Sequence, residues 1–111
     1  MVKELTDQDF DASVRESTTP VLVDFSATWC QPCKALAPVI EAAAKEFNGK
    51  LSVYKVDIDK ASTVSGRMGI QGVPTCIFFR NGSEVDRFVG YKDLKDVRER
   101  VQRVINVGNV G

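Results

Sequence analysis

Two short apolar runs constrain this chain more than anything else in it: Val21-Leu22-Val23-Asp24-Phe25, directly after Pro20, and Leu51 to Ile58. Each reads as a strand buried on both faces, the pattern of a parallel sheet. Between them Leu36, Val39, Ile40, Ala43 and Phe47 recur at helical spacing and form one core-facing stripe. Strand, helix, strand in that order is a βαβ unit, which requires a sheet covered by helices. Asp24 breaks the first run and Lys55 the second.

The remaining segments fit around this unit. Thr6, with Asp9 three residues on and Leu5 and Phe10 at staple spacing, predicts a helix start; Phe10 and Val14 then share a face, and Thr18 to Pro20 end the helix. Pro38 should kink the central helix, and Asn48-Gly49 should stop it. Ala61 to Met68 reads as a short helix ending near Gly69. Thr75–Arg80 and Glu84–Val89 flank Asn81-Gly82, the strongest short hairpin signal. Lys92 to Val107 has Leu94, Val97, Val101, Val104 and Ile105 on one face, with Arg98, Arg100 and Arg103 suited to the negative end of the helix dipole. Val2 to Glu4 is a candidate edge strand, and Gly108 to Gly111 is expected to fray. The expected fold is α/β: one domain over residues 1–111, with a central mixed sheet of four to five strands and helices on both faces.

Composition narrows the function. Acidic and basic residues balance at 15 each, so the chain lacks the basic surplus of a nucleic-acid binder. The longest uncharged run, Met68 to Phe79, is twelve residues and contains Gly69, Gly72 and Pro74, too short and broken to span a bilayer. Met1 to Phe10 holds Lys3, Glu4, Asp7 and Asp9 and no apolar stretch, so no signal peptide is expected and a cytoplasmic location is. The absence of histidine excludes Ser-His and Cys-His nucleophiles and His-ligated metals. Three cysteines, Cys30, Cys33 and Cys76, allow at most one internal bridge at a time, which argues against a secreted disulfide scaffold.

Cys30-Gln31-Pro32-Cys33 lies between the first buried strand and the central helix. The first N–H groups of a helix lack partners and carry partial positive charge, so a thiolate at Cys30 is stabilised there, and the thiolate is the nucleophile. Pro32 fits the first turn, where its missing N–H costs nothing. Cys33 is one helical turn on, so the two sulfurs can meet in a small ring. Cys30, nearer the exposed end, should attack, and Cys33 should resolve the mixed disulfide. Lys34 adds positive charge or simply faces solvent. A structural zinc site competes for a CxxC pair but wants four ligands, and this chain has three cysteines and no histidine. Two incidental core cysteines are the other alternative.

Trp29-Cys30-Gln31-Pro32-Cys33-Lys34 resembles the active-site motif of the thioredoxin family. Val23-Asp24-Phe25, Pro38, Lys55, Val73-Pro74-Thr75, Asn81-Gly82 and Gly90 stand where that family has matching residues, over roughly residues 3 to 106. The chain departs from the pattern at Gln31, where most members have Gly, and at Ser26, where many have an aromatic residue. The resemblance implies the thioredoxin fold and a protein-disulfide reductase with a redox-active Cys30–Cys33 disulfide. It implies Asp24 as general base through water with Lys55 beside it; an Asp24–Lys55 pair serving only to satisfy two polar groups is the structural alternative. It implies a cis bond before Pro74 that exposes the Val73 backbone, and a contact surface of Trp29, Gln31, Pro32, Gly72, Val73, Pro74 and Gly90. Its implied partners are disulfide-containing proteins and an NADPH-dependent thioredoxin reductase. No bound cofactor or metal, no nucleic acid and no membrane are expected, and the chain is expected to be a monomer. Cys76 reads as a core strand residue, with a third thiol that intercepts oxidised Cys33 as the minor alternative. An oxidase or isomerase on the same fold, and a binding module with incidental redox activity, are the competing functions.

Overall fold

The computed structural model describes residues 2–107. Its elements run β1 (Lys3–Glu4), α1 (Phe10–Arg15), β2 (Val21–Ser26), α2 (Gln31–Glu46), β3 (Ser52–Asp57), α3 (Ser62–Arg67), β4 (Thr75–Arg80), β5 (Ser83–Val89) and α4 (Leu94–Val107). The five strands form one sheet in the order β1-β3-β2-β4-β5. β1 and β2 pair parallel with β3, whereas β4 runs antiparallel to both β2 and β5. The mixed sheet predicted from the two apolar runs and the hairpin is therefore present, with the edge strand at Lys3–Glu4. The fraying expected of residues 108–111 lies outside the described residues.

Alternation along β2 divides the core in two. Val21, Val23 and Phe25 face a cluster built with Phe10 and Val14 of α1 and Val64 of α3. Leu22 faces the opposite cluster, with Leu36, Ile40 and Ala43 of α2 and Val97, Val101 and Val104 of α4. Burying each large apolar side chain of β2 contributes ~1.5–3 kcal/mol. β3 departs from the expected double burial. Val53 and Val56 are buried, but Lys55 is exposed and Ser52, Tyr54 and Asp57 are half-buried. Its outer neighbour β1 is two residues long, pairs with Tyr54 and Lys55, and is itself exposed.

Local chemistry explains most element ends. The reaching-back half of the first cap is present: the Thr6 N–H donates to Asp9 Oδ1 at 2.6 Å. The regular helix nevertheless starts only at Phe10, after a turn over residues 7–9, and Leu5 and Phe10 are both buried in one cluster. α2 passes through the exposed Pro38 without interruption, and Gly49 beyond it takes φ +87°. Asn81 and Gly82, at φ 52° and 80°, make the two-residue turn of the hairpin. Asp93 Oδ1 accepts the Asp96 N–H at 2.9 Å and caps α4.

The arginines of α4 do not serve its dipole. The helix runs to Val107 with no basic residue in its last turn, so Arg98 and Arg100 lie mid-helix. They pair instead with Glu46 of α2 at 2.9 Å and Asp86 of β5 at 3.4 Å. The cation at the carboxyl end of α4 comes from the sheet: Arg80 Nη1 donates to the Val104 carbonyl at 2.7 Å.

Gly82→Ala tests the hairpin. An added Cβ would lie 3.2 Å from Arg15 Cγ, at a backbone angle of +80° that L-residues avoid. The expected cost is ~1–2 kcal/mol, seen as a lower denaturation midpoint with an unchanged m-value.

Candidate active site

β2 ends at Ser26, and four residues later the chain turns into α2. This is the carboxyl end of a strand in a helix-covered sheet, the usual place for a site in such folds. Cys30 is the N-cap of α2 and Pro32 sits in its first turn. Cys30 and Cys33 are joined by a disulfide, with Cα atoms 5.3 Å apart. The Cys33 N–H donates to Cys30 Sγ at 3.2 Å. An unpartnered helix N–H thus points at the sulfur expected to carry negative charge when the pair is reduced.

One expectation needs correction. Cys30 is not the exposed member of the pair: it is 5% exposed and Cys33 4%. With the bond formed, both pack with Ala27 against Ile58 and Val73. Position in the helix distinguishes the two sulfurs instead. Cys30, at the cap, receives the N–H and borders a surface groove; Cys33 lies a turn inside and does not line it.

That groove, about 480 Å³, is lined by Trp29, Cys30, Gln31 and Pro32 on one side and Ile58, Ile70 and Gln71-Gly72-Val73 on the other. None of these residues is charged. The Val73–Pro74 bond is cis, and the Val73 carbonyl lies 3.6 Å from Cys30 Sγ. Thr75 Oγ1 donates to the Gly72 carbonyl and ties this loop to β4. Trp29 is 64% exposed, and its Nε1 donates to Asp59 Oδ2 at 2.8 Å.

The predicted contact residues separate here. Trp29, Gln31, Pro32, Gly72 and Val73 meet at the groove, while Pro74, next in the chain, is buried. Gly90 does not line the groove. It takes φ +90°, a turn conformation that suits glycine, and its N–H donates to the Pro74 carbonyl at 2.8 Å. Sequence reasoning missed Asp59, Ile58, Ile70 and Gln71. Nothing local marks them; they arrive because the β3–α3 and α3–β4 connections end at the same edge of the sheet as α2 begins.

Asp24 is 5% exposed, on the sheet face that carries α2 and α4. Burial pushes its carboxyl up to about 6, opposed by a hydrogen bond from Cys76 and by the charge of Lys55. Lys55 is in register with Asp24, but it is exposed, and no ion pair joins the two among the described residues. It acts on Asp24 through space, so the alternative of an Asp24–Lys55 pair inside the sheet does not form. Cys76 is fully buried as expected and stands opposite Asp24, within the α2/α4 cluster. Among the described residues no three metal-ligating side chains converge, and no helix is long and apolar enough to cross a membrane.

A family model described as thioredoxin matches residues 1–103. The chain is 39% identical over 104 residues to the chloroplastic M-type thioredoxin of Pisum sativum, covering 94% of this chain and 60% of that protein. It is 38% identical over 105 residues to a thioredoxin of Rickettsia felis, covering 95% of this chain and all of that protein. A Staphylococcus aureus thioredoxin is 38% identical over 98 residues, covering 88% and 92%. The chain thus spans about 60% of the length of the pea protein and the full length of the rickettsial one.

The buried carboxyl makes stability depend on pH. Asp24 binds its proton more tightly folded, at about 6, than at the ordinary 3.8, so the fold loses stability as pH rises through that window. Above it the penalty is on the order of 3 kcal/mol. Asp24→Asn is therefore expected to be a few kcal/mol more stable than the parent at pH 8, an advantage that disappears toward pH 4. Urea denaturation of both proteins across that range checks it.

Proposed function

The chain belongs to the thioredoxin family, and from that premise we propose that it is a protein-disulfide reductase working by dithiol–disulfide exchange. The observation that carries this reading is the Cys30–Cys33 pair at the start of α2, with a helix N–H on Cys30 Sγ and an uncharged groove beside it.

In the reduced protein the Cys30 thiolate attacks one sulfur of a substrate disulfide. That bond breaks, a Cys30–substrate disulfide forms, and the departing substrate sulfur leaves as a thiolate that takes a proton. Cys33 then gives its proton to Asp24 through water, and its thiolate attacks Cys30 Sγ. The mixed disulfide breaks, the second substrate thiol is released, and the Cys30–Cys33 bond forms. Two electrons have passed to the substrate. The chain contains no histidine to take the Cys33 proton, and a carboxyl near 6 is suited to accept and return one at neutral pH. The exposed Lys55 favours the charged form of Asp24 through space.

Substrate proteins are read mainly through backbone. An extended segment laid in the groove pairs with the Val73 main chain beside Cys30, a mode tolerant of sequence. Trp29, held by Asp59, together with Gln31, Pro32 and Gly72, forms the walls. The exchange needs no bound cofactor. The oxidised protein returns to the dithiol through a thioredoxin reductase drawing on NADPH. A monomer acting in the cytoplasm belongs to the same reading, since a reductase needs a compartment where thiols stay reduced.

The equilibrium potential of the Cys30–Cys33 couple tests the direction of the reaction. A value more reducing than the cytosolic glutathione pool is expected; one near the poise of an oxidising compartment would assign the chain to oxidase or isomerase chemistry, with Gln31 as the first residue to examine. Cys33→Ser is expected to accumulate the Cys30 mixed disulfide. Asp24→Asn is expected to slow resolution by roughly a hundredfold and leave the first attack nearly unchanged, in stopped-flow measurements of the two steps. Equal slowing of both steps would remove Asp24 from the proton transfer.

A further inference from the structure

Cys76 is the thiol that the proposed exchange does not use, and it is fully buried near the start of β4. The sheet register sets it directly across from Asp24 of β2, so the two side chains leave the sheet on the same face. Cys76 Sγ lies 3.9 Å from Asp24 Oδ1, with the thiol as donor. Among the described residues this is the one side-chain hydrogen bond made to that carboxylate.

Few other charged or titratable groups face Asp24. Lys55 of β3 acts from a distance, without an ion pair. The helices covering this face, α2 and α4, present Leu36, Ile40, Val97 and Val101 to the cluster, none of them titratable. Cys33 of α2, a thiol only when the disulfide is reduced, lies in the neighbouring cluster with Ala27 and Cys30.

We propose that Cys76 is a positioning residue for the exchange reaction: its thiol holds the Asp24 carboxylate by a hydrogen bond and thereby sets the pH range in which that carboxylate accepts the Cys33 proton. This rests on the reading of Asp24 as the base. Two acids share a buried site that tolerates one negative charge. The carboxyl takes that charge, and burial together with the Asp24 charge pushes the Cys76 thiol well above its usual range. Cys76 therefore keeps its proton wherever Asp24 is ionised, and it stays a donor throughout the cycle. A thiol is a weak donor, so the effect is a trim on the base. An aliphatic residue at this position would leave the carboxylate without it.

The test follows the Asp24 carboxyl by carbon-13 NMR titration of the full chain, alongside the pH profile of mixed-disulfide resolution, in the parent, Cys76→Ala and Cys76→Ser. Cys76→Ala is expected to raise both the carboxyl midpoint and the kinetic inflection by roughly half a pH unit, about threefold less ionised Asp24 at pH values below the midpoint. Cys76→Ser, with a stronger donor, is expected to bring both back to the parent value or below. Should Cys76→Ala fail to fold, Cys76→Val supplies the donor-free arm. An unchanged midpoint in the donor-free variant, or Ala and Ser variants moving together, would overturn the proposal by showing that packing and not the donor governs Asp24. A midpoint that moves while the kinetic inflection stays would overturn it through its premise, by removing Asp24 from the proton transfer.

Discussion

Burial of β2 on both faces, with hydrogen-bonded neighbours along both edges, is the constraint on which the rest of this molecule depends. The strand pairs in register with β3 on one side and β4 on the other, and its alternating side chains divide the core into two clusters. A strand so enclosed has almost no room to slip, because moving by one residue would exchange the contents of its two faces. Its carboxyl end is therefore a fixed point from which α2 departs with Cys30 as its cap. The same enclosure makes Asp24 unusual. A carboxyl in that position is largely removed from bulk solvent, and the protein accepts a loss of stability at neutral pH to keep it there.

The site joins two kinds of electrostatics. At the surface, the start of α2 favours negative charge on Cys30 through an oriented N–H group. Inside the sheet, burial disfavours negative charge on Asp24 and on Cys76. Exchange chemistry needs both. In the proposed exchange the sulfur that receives the helix N–H begins the reaction, and the buried carboxyl lets the second sulfur finish it. Around this pair the groove is uncharged and bordered by backbone, which suits a partner recognised by its disulfide and extended chain more than by particular side chains.

Much of this was legible in the chain because it rests on short-range rules. Period-two and period-3.6 patterns, Asn81-Gly82, Gly49 and the spacing from Cys30 to Cys33 each carry their structural meaning within a few residues. Long-range consequences were not legible. Arg98 and Arg100 suit a helix dipole by composition, yet they bind Glu46 and Asp86, since packing brings α2 and β5 alongside α4. Asp59 supports Trp29 across 30 positions of sequence, and no local pattern marks it. Cys30 stands nearer the exposed end of the helix, yet packing with Ala27, Ile58 and Val73 buries it as deeply as Cys33.

By itself the sequence determined the βαβ core, the closing hairpin, the dithiol at a helix start and the misfit carboxylate at Asp24, because each follows from local hydrophobic period, turn chemistry or the charge at a helix end. Only the tertiary structure decided what stands next to what. It put Lys55 in solvent although β1 pairs with it, and it joined the Gly90 N–H to the Pro74 carbonyl. It also set the Cys76 thiol against Asp24, because register between strands 52 residues apart in the chain is settled by which faces must be buried together.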